Sequence, residues 1–292
     1  DLEFYKTRLR AAYDVRYSVG LIEEGYNNTY RLVHGEGDYL PGLIIDIYDK
    51  TAVMQAHSPG MHYARHLLAQ ALQEIMGESL KSVFYKSETT LPYKAQLDPT
   101  NEYLIGDDCG NIATERGLKF YVDWLKGQKT GFFVDQRENR ALLEHYAHDS
   151  SSKAIDLTNK NVELNFPGDT RHKAFAEDAF KFLEQMGDRY NLIVLDPPAF
   201  AKHKNVLHNA LQGYRKLNAL AFEKIQPGGL LFTFSCSQVV SKNDFRLAVF
   251  SAAAQARRKV RILHQLTQPA DHPVNIYHPE GEYLKGLVLY VE

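Results

Sequence analysis

The chain has 292 residues, of which 44% are hydrophobic and 24% are charged. This composition is typical of soluble globular proteins and excludes the disordered, collagen-like and fibrous classes. No apolar run approaches the roughly 20 residues that a membrane helix needs, and no signal-peptide pattern follows Asp1. A net charge of −2 excludes a positive field over the whole chain but allows a local basic patch. The two cysteines exclude a disulfide scaffold and favour a reducing, cytoplasmic setting.

Residues 1–123 have the pattern of a small α+β domain. Apolar residues at helical spacing predict a first helix over 1–19 and an amphipathic helix over 61–76. Short apolar or alternating runs bounded by turn residues predict strands over Thr29–His34, Leu43–Tyr48, Thr51–Ala56, 82–86, 112–114 and 118–122. Because tight turns separate the first three of these strands, we expect them to form a meander.

From Trp124 onward the pattern changes to helices that alternate with apolar strands. Helices are predicted over 136–146, 151–165, 179–186, 208–225 and 241–256. Strands are predicted over 173–177, Leu192–Leu195, 230–235, Val260–Leu266 and 287–291. This alternation is typical of parallel strands joined by crossover helices, so residues 124–292 are predicted to form a doubly wound α/β domain.

The sequence lacks one segment that such a domain needs. A doubly wound nucleotide-binding domain opens with a strand, a Gly-rich turn and a helix, and its second strand ends in an acid. Here only residues 147–150 separate the first two predicted helices, whereas that opening unit takes about 30 residues. Asp149 and the three serines after it look like the end of the second strand followed by a helix cap. We therefore infer a break in the chain between His148 and Asp149.

Two side chains at predicted strand ends are candidates for chemistry, because ligands in such sheets bind at the carboxyl ends of strands. Asp196 opens a rigid Pro-Pro turn after one strand and could hydrogen-bond a planar base. Cys236 follows the next strand between two serines and before a helix start, where surroundings favour a thiolate. The simpler interpretations are a plain proline loop and a small buried hydrophobic residue. Cys109 has no such support and is interpreted as an incidental turn residue.

Other residues could recognise a nucleoside. Asp149 and Asp178 each follow a predicted strand, where an acid can bind ribose hydroxyls or an adenine amine. Each also precedes a predicted helix, and taken alone each is better explained as a helix N-cap. The polar and then aromatic segment 127–137 could clamp a ligand or serve as a domain linker. The basic run at 257–261 is typical of a solvated face. The twelve histidines have no metal-binding spacing, so no metal is expected.

Taken in order, these motifs resemble those of the bacterial S-adenosylmethionine-dependent methyltransferases that modify large-subunit ribosomal RNA at cytosine carbon 5. The matching motifs are Gly37-Asp38-Tyr39-Leu40-Pro41-Gly42-Leu43, Ile45-Asp46, Lys129-Thr130-Gly131, Asp135-Gln136-Arg137, Asn139-Arg140, Asn161-Val162-Glu163-Leu164-Asn165, Asp196-Pro197-Pro198, Phe234-Ser235-Cys236-Ser237, Asp271-His272-Pro273, Pro279-Glu280-Gly281 and Tyr283-Leu284-Lys285-Gly286. Many methyltransferases share Asp-Pro-Pro alone, whereas this combination is specific to the family.

The resemblance implies a Rossmann-like class I methyltransferase domain over 124–292, preceded by a central α+β domain over 1–123. The family's N-terminal PUA domain for RNA binding has no counterpart in this chain. The implied cofactor is S-adenosylmethionine and the implied partner is large-subunit ribosomal RNA, with no membrane and a possible homodimer. The implied catalytic residues are Cys236 as the nucleophile and Asp196 as the acid beside the substrate base. The residues implied at the cofactor are Asp149, Asp178, Asp196, Thr130, Gln136 and Arg137, and those implied at the substrate are Pro197, Pro198, Phe200, Tyr214 and His272.

Two alternatives remain open at this point. A methyltransferase of the same fold could act on guanine or another ring nitrogen, but that reaction needs no thiol, so Cys236 favours carbon 5. A noncatalytic RNA-binding factor for ribosome assembly is the alternative from a different class, and the missing Gly-rich turn favours it. As the chain stands, we expect it to bind the cofactor poorly.

Overall fold

The structure is a computed structural model that describes residues 1–146 apart from 24, 93, 94 and 98, and residues 155–292 apart from 174, 176, 188, 189 and 202. The chain divides into two compact units. Unit 1 consists of Asp1–Ala174 together with Pro269–Gly281, a stretch we call the return segment. Unit 2 consists of Phe175–Gln268 and Glu282–Glu292. The domain boundary predicted at residue 124 coincides with neither division and stays a prediction.

Unit 1 is an α+β structure built around a five-stranded sheet. Its helices are α1 (Leu2–Ser18), α2 (Pro59–Tyr63), α3 (Arg65–Met76), α4 (Arg137–Tyr146) and α5 (Ile155–Asn165). Its strands are β1 (Thr29–His34), β2 (Leu43–Tyr48), β3 (Thr51–Ala56), β4 (Ser82–Tyr85), β5 (Glu102–Ile105), β6 (Ile112–Glu115) and β7 (Leu118–Tyr121). The large sheet has the order β1-β2-β3-β4-β5, and only its β3–β4 pair is parallel. Strands β6 and β7 form a separate antiparallel hairpin.

Unit 2 is a four-stranded sheet with helices between its strands. Its elements are α6 (Ala179–Gln185), β8 (Leu192–Leu195), α7 (Leu207–Lys224), β9 (Gly229–Ser235), α8 (Lys242–Gln255), β10 (Val260–Leu266) and β11 (Lys285–Val291). The sheet order is β10-β11-β9-β8. Strands β8 and β9 are parallel, whereas β11 is antiparallel to both β9 and β10. In the described part of the chain, no helix has both the length and the apolar character needed to span a membrane.

The predicted elements are largely confirmed, with three differences. The helix expected over 61–76 is two helices, because the Ser58 hydroxyl caps α2 and Pro59 starts it early, and α3 begins only at Arg65. Strand β5 was not predicted, since its side chains are half-buried or exposed and give no clear apolar run. The expectation of an all-parallel sheet is wrong for β11, which the chain enters from the return segment rather than from a crossover helix.

Two predicted elements fall partly on residues that are not described. Of the strand expected over 173–177, residues 174 and 176 lie outside the described residues, and the other three residues are not in a strand. Of the helix expected over 151–165, α5 is described from Ile155 onward. The inferred break between residues 148 and 149 also lies outside the described residues, so it stays a prediction.

The core of unit 1 lies between its sheet and the helices α1 and α3. Leu9 of α1 and Leu68 and Leu72 of α3 are fully buried, together with Ile45 and Met54 of the sheet. Burying one such side chain stabilises the folded state by about 1.5–3 kcal/mol. The helical spacing of apolar residues in the sequence therefore identified this face of the unit correctly.

Among its described residues, unit 1 also buries three bidentate ion pairs, which is unusual for charged side chains. The pairs are Arg16–Asp38, Arg31–Asp46 and Arg137–Asp271. In each pair two guanidinium nitrogens donate to the two oxygens of one carboxylate. Side-chain exposure does not exceed 11% in any of them. Removing water from a charge is costly, so each of these groups depends on its partner.

Asp271, in the return segment, connects all three arginines. Its carboxylate accepts from both terminal nitrogens of Arg137 at 2.8 Å and from the backbone N–H of Arg31 at 2.9 Å, while its carbonyl accepts from Arg16 at 2.8 Å. Burial opposes a charge on Asp271, but hydrogen bonds from His272 and Arg137 outweigh it and hold the pKa of Asp271 well below its usual range. Burial lowers the pKa of His272, so this imidazole is neutral at pH 7 and its Nδ1–H donates to Asp271 at 3.0 Å.

A backbone contact holds the return segment against the turn after β1. A Cβ atom on Gly37 would overlap the carbonyl oxygen of Pro273, so only glycine allows this approach. The side-chain amide of Asn275 donates to the carbonyl of Glu36 at 3.1 Å in the same place. The motifs that contain Gly37 and Pro273 are far apart in the sequence but are in direct contact in the structure.

Replacing Arg137 by Met tests how much unit 1 depends on its buried ion pairs. We expect a loss of about 3–5 kcal/mol in the free energy of unfolding, because the Asp271 carboxylate would stay buried without its guanidinium. Urea unfolding followed by fluorescence measures this, since the single tryptophan, Trp124, is buried in unit 1. Arg171→Met is the matched control, because Arg171 pairs with Asp169 on the surface and its loss should change stability little. Equal losses in the two variants would contradict the expectation.

Candidate active site

Asp196 and Cys236 leave neighbouring parallel strands at the same edge of the unit 2 sheet. The β8–β9 register pairs Leu195 with Thr233. Asp196 therefore lies level with Phe234, and Cys236 lies two residues further along, about 7 Å in the strand direction. Asp196 is exposed and Cys236 is half-buried, so both side chains can be reached from solvent. A planar base placed at this edge could contact a carboxylate and a thiol together.

The two serines beside Cys236 hold its backbone in place. The Ser235 hydroxyl donates to the hydroxyl of Tyr214, in α7, at 3.0 Å. The Ser237 hydroxyl donates to the carbonyl of Ala201, in the loop after β8, at 2.6 Å. Both serines are buried. Because the Ser237 bond joins the loop that carries Cys236 to the loop that begins with Asp196, the two candidate residues are held as one assembly.

Tyr214 lies beneath this edge rather than on it. Its side chain is fully buried, and its ring packs against Phe200 at 4.6 Å and against Phe245 at 5.4 Å between centroids. Burial raises the pKa of Tyr214, and the nearby charges of Cys236 and Asp196 raise it further, so the hydroxyl stays protonated at neutral pH. The family resemblance implies a substrate contact for Tyr214, which stays a prediction, and its burial favours a role in positioning Ser235.

Phe200 fixes the far end of the Pro-Pro turn. Its ring lies over Gly213 of α7, where a Cβ atom would come within 3.0 Å of the ring. A glycine inside a helix costs about 1 kcal/mol relative to alanine, and such a glycine commonly marks a close approach. Gly213 was not among the predicted site residues, although an isolated glycine within a predicted helix was the available signal. Pro197 is half-buried and Pro198 is exposed, so the turn itself remains at the surface.

Lys285 is a second residue near this edge for which the sequence predicted no role. It is the first residue of β11 and pairs with Ser235 in the β9–β11 ladder. Only 6% of it is exposed, and its Nζ donates to the carbonyl of Ser237 at 2.6 Å. The available signal was a lysine at the start of an otherwise apolar strand.

The acids predicted at a nucleoside are only partly described. Asp178 is the N-cap of α6, and one of its carboxylate oxygens accepts from the backbone N–H groups of Phe180 at 3.0 Å and Lys181 at 3.2 Å. The capping interpretation of Asp178 is thus confirmed, and a contact with adenine stays a prediction for this exposed side chain. Asp149 lies outside the described residues.

The remaining predicted cofactor residues lie in the interior of unit 1. Thr130 donates to Asp46 at 2.5 Å, Gln136 accepts from Asn139 at 2.6 Å, and Arg137 forms its ion pair. All of these side chains are buried, so segment 127–137 is part of a packed unit and not a flexible linker. His272, predicted at the substrate, is likewise buried, in contact with Asp271. Burial favours structural roles for these residues, and their contacts with a ligand stay predictions.

The described residues contain no group of three or more histidine, cysteine or acidic side chains that could hold a metal ion. The Cys236 edge carries a thiol, the Asp196 carboxylate and the buried ammonium group of Lys285. Such a set suits nucleophilic catalysis on a planar ring.

Comparison with solved structures identifies the fold. A protein from Streptococcus mutans, described as a SAM-dependent methyltransferase, has a TM-score of 0.82 at 17% identity, covering 99% of this chain and 81% of that one. Another methyltransferase structure, in complex with SAH, has a TM-score of 0.81 at 18% identity and covers 99% and 82%. Identities this low establish the fold alone, and the predicted Rossmann-like methyltransferase architecture is confirmed.

Sequence comparison establishes the family. No protein-family model matches the chain. The chain is 34% identical to the ribosomal RNA large subunit methyltransferase I of Erwinia tasmaniensis over 325 aligned positions, which cover all of this chain and 81% of the relative. Its identity to the protein of the same name from Tolumonas auensis is 36%, over 99% of this chain and 81% of that relative. With this identity over its whole length, the chain belongs to the ribosomal RNA large subunit methyltransferase I family.

Proposed function

We propose that this protein methylates carbon 5 of cytosine in large-subunit ribosomal RNA, in the cytoplasm, with S-adenosylmethionine as the methyl donor. The observation that carries the proposal is the placement of Cys236 beside Asp196 at the ends of adjacent parallel strands. The name shared by the sequence relatives supports ribosomal RNA as the substrate class. The SAH bound in a protein of the same fold supports the donor.

A thiol is needed because carbon 5 of cytosine is a weak nucleophile. The Cys236 thiolate forms a bond to carbon 6, and the electron pair of the 5,6 double bond moves to carbon 5, which becomes nucleophilic. The cofactor supplies an electrophilic methyl group. After a base removes the carbon 5 proton, the carbon–sulfur bond breaks and Cys236 is restored. The Asp196 carboxylate accepts a hydrogen bond from the amine of the base, and from the ring nitrogen once that nitrogen is protonated in the adduct, and so stabilises the adduct.

The target cytosine must leave its helix or be unpaired to reach this edge, because a stacked base hides its ring face. The exposed Pro-Pro turn at residues 197 and 198 gives the base a rigid surface, since proline fixes its own backbone angle. Phe200, packed on Gly213, and Tyr214, bonded to Ser235, hold that surface from below. The catalytic edge is thus supported by residues that need not touch the RNA.

The residues of this chain meet the needs of the cofactor only in part. Asp178 offers an exposed carboxylate, but between Asp135 and Asp196 the sequence has only two isolated glycines, Gly168 and Gly187. No Gly-rich turn is therefore encoded there.

We propose that a cofactor-binding segment of the family is missing between residues 148 and 149. The alignment with the Erwinia tasmaniensis relative has 325 positions against 292 residues in this chain. The excess is about the 30 residues of one strand–turn–helix unit. In the described sheet, β8 is an edge strand, which is where the earlier strands of a doubly wound fold would pair. Residues 1–123 and 124–292 would then be the family's central and methyltransferase domains.

Two other functions compete with this proposal. Methylation of a guanine or another ring nitrogen needs no thiol, so it would leave the placement of Cys236 without a purpose. A noncatalytic RNA-binding role is favoured by the missing Gly-rich turn.

Insertion of the missing segment should restore cofactor binding. We expect a chain that carries the Erwinia tasmaniensis segment between His148 and Asp149 to bind SAH at least about tenfold more tightly than the original chain, a difference of roughly 1.4 kcal/mol. Isothermal titration calorimetry measures both affinities. A Gly/Ser insertion of equal length is the control and should bring no gain. Equal affinity in the original chain and the completed chain would show that no cofactor segment is missing.

Methyl transfer should depend on Cys236 and not on Cys109. In the completed chain, Cys236→Ala should lower the formation of 5-methylcytosine in large-subunit ribosomal RNA by more than about a thousandfold, because the ring is no longer activated. Cys109→Ala is the matched control, since that cysteine is an exposed turn residue of unit 1. Transfer from labelled S-adenosylmethionine, mapped base by base, gives the result. Methylated guanine, or 5-methylcytosine that persists without Cys236, would overturn the proposal.

A further inference from the structure

Lys285 is bound to both sides of Cys236. In the β9–β11 ladder it lies opposite Ser235, the residue before Cys236. Its ammonium group donates to the carbonyl of Ser237, the residue after Cys236, at 2.6 Å. Lys285 therefore starts opposite Ser235 and reaches Ser237, so its side chain lies along the turn that carries the Cys236 thiol.

Lys285 is buried, which is unusual for a charged side chain. Only 6% of Lys285 is exposed, and an ammonium group loses its hydration there unless other charges or dipoles replace it. The Ser237 carbonyl supplies one such dipole. Burial lowers the pKa of Lys285 to about 8, while the charges of Cys236 and Glu282 oppose that change. At pH 7 the amine is therefore still mainly protonated, and a thiolate beside it would restore part of the lost stabilisation.

The other charged groups around this turn do not replace Lys285. Asp196, after β8, brings negative charge and so disfavours a thiolate, and Tyr214 of α7 is a neutral hydroxyl. Lys242, at the start of α8, forms an ion pair with Glu282, and both side chains are largely exposed to water. Solvent screens an exposed pair of this kind strongly. Lys285 is the buried cation of this set.

We propose that Lys285 is a positioning residue that keeps Cys236 as a thiolate ready for attack. The Cys236 thiol gives its proton to solvent, and the ammonium group of Lys285 keeps its three protons and forms no covalent bond. The purpose of this ion pair rests on the proposed function, because a thiolate is the form that adds to carbon 6 of a cytosine. Its existence does not depend on methyl transfer and can be measured on the chain without any cofactor.

The test is the rate of alkylation of Cys236 by iodoacetamide between pH 5 and pH 10. A Cys109→Ser background leaves Cys236 as the single thiol. In the folded protein we expect the midpoint of the rate profile at least one pH unit below the ordinary value of about 8.5 for cysteine. The same protein unfolded in urea should return to the ordinary value. Equal midpoints in the folded and unfolded protein would overturn the proposal without any variant at Lys285.

Variants assign the effect to the lysine. Lys285→Met should raise the alkylation midpoint by about one unit and slow alkylation at pH 7 about tenfold, whereas Lys285→Arg should keep the low midpoint. Lys259→Met is the matched control, because Lys259 is exposed and lies beyond the opposite end of β11. A folded Lys285→Met protein with the profile of Lys259→Met would refute the role. A low midpoint in a protein that still fails to methylate cytosine after completion would instead refute the proposed function alone.

Discussion

The buried ion pair between Arg137 and Asp271 is the contact on which unit 1 depends. The two residues are 134 positions apart in the sequence. Because both are buried away from water, each charge is stabilised mainly by the opposite charge of its partner. Through its backbone and carboxylate, Asp271 also binds Arg16 and Arg31, so one acid of the return segment connects three separate parts of the unit. The motifs around residues 135–137 and 271–273, which look like separate markers in the sequence, are two halves of one buried contact.

Buried polar contacts between residues far apart in sequence also hold the candidate active site in unit 2. Cys236 and Asp196 are the candidate reactive groups, and hydrogen bonds among the residues around them hold them in place. Ser235 is bonded to Tyr214, and Ser237 is bonded both to Ala201 and to Lys285. A reactive thiol on a turn needs a fixed backbone, and here buried hydrogen bonds with Tyr214, Ala201 and Lys285 hold the residues on both sides of Cys236. Several motif residues predicted at a ligand are buried and support the structure around them, and their contacts with a ligand stay predictions.

The elements that could be predicted from the sequence are those with local causes. Strands β1 to β3 and β8 to β9 have short apolar runs closed by turn residues, and the shared edge of Asp196 and Cys236 followed from their order along the chain. The antiparallel insertion of β11, the attachment of the return segment to unit 1 and the burial of His272 depend on partners far away in sequence. A hydrophobic pattern carries no information about such partners. The role of Lys285 was not predicted for the same reason, since it depends on the neighbouring strand.

The nucleophilic role of Cys236 is tested most directly by covalent capture. Ribosomal RNA that carries 5-fluorocytosine in place of cytosine would be incubated with S-adenosylmethionine and the chain completed between residues 148 and 149. Fluorine at carbon 5 cannot leave as a proton does, so the carbon–sulfur bond should persist after methyl transfer. We expect mass spectrometry of the digested complex to find a methylated fluorocytosine nucleotide on the peptide that contains Cys236. Methylated RNA with no nucleotide attached to the protein, or attachment at another residue, would contradict the mechanism.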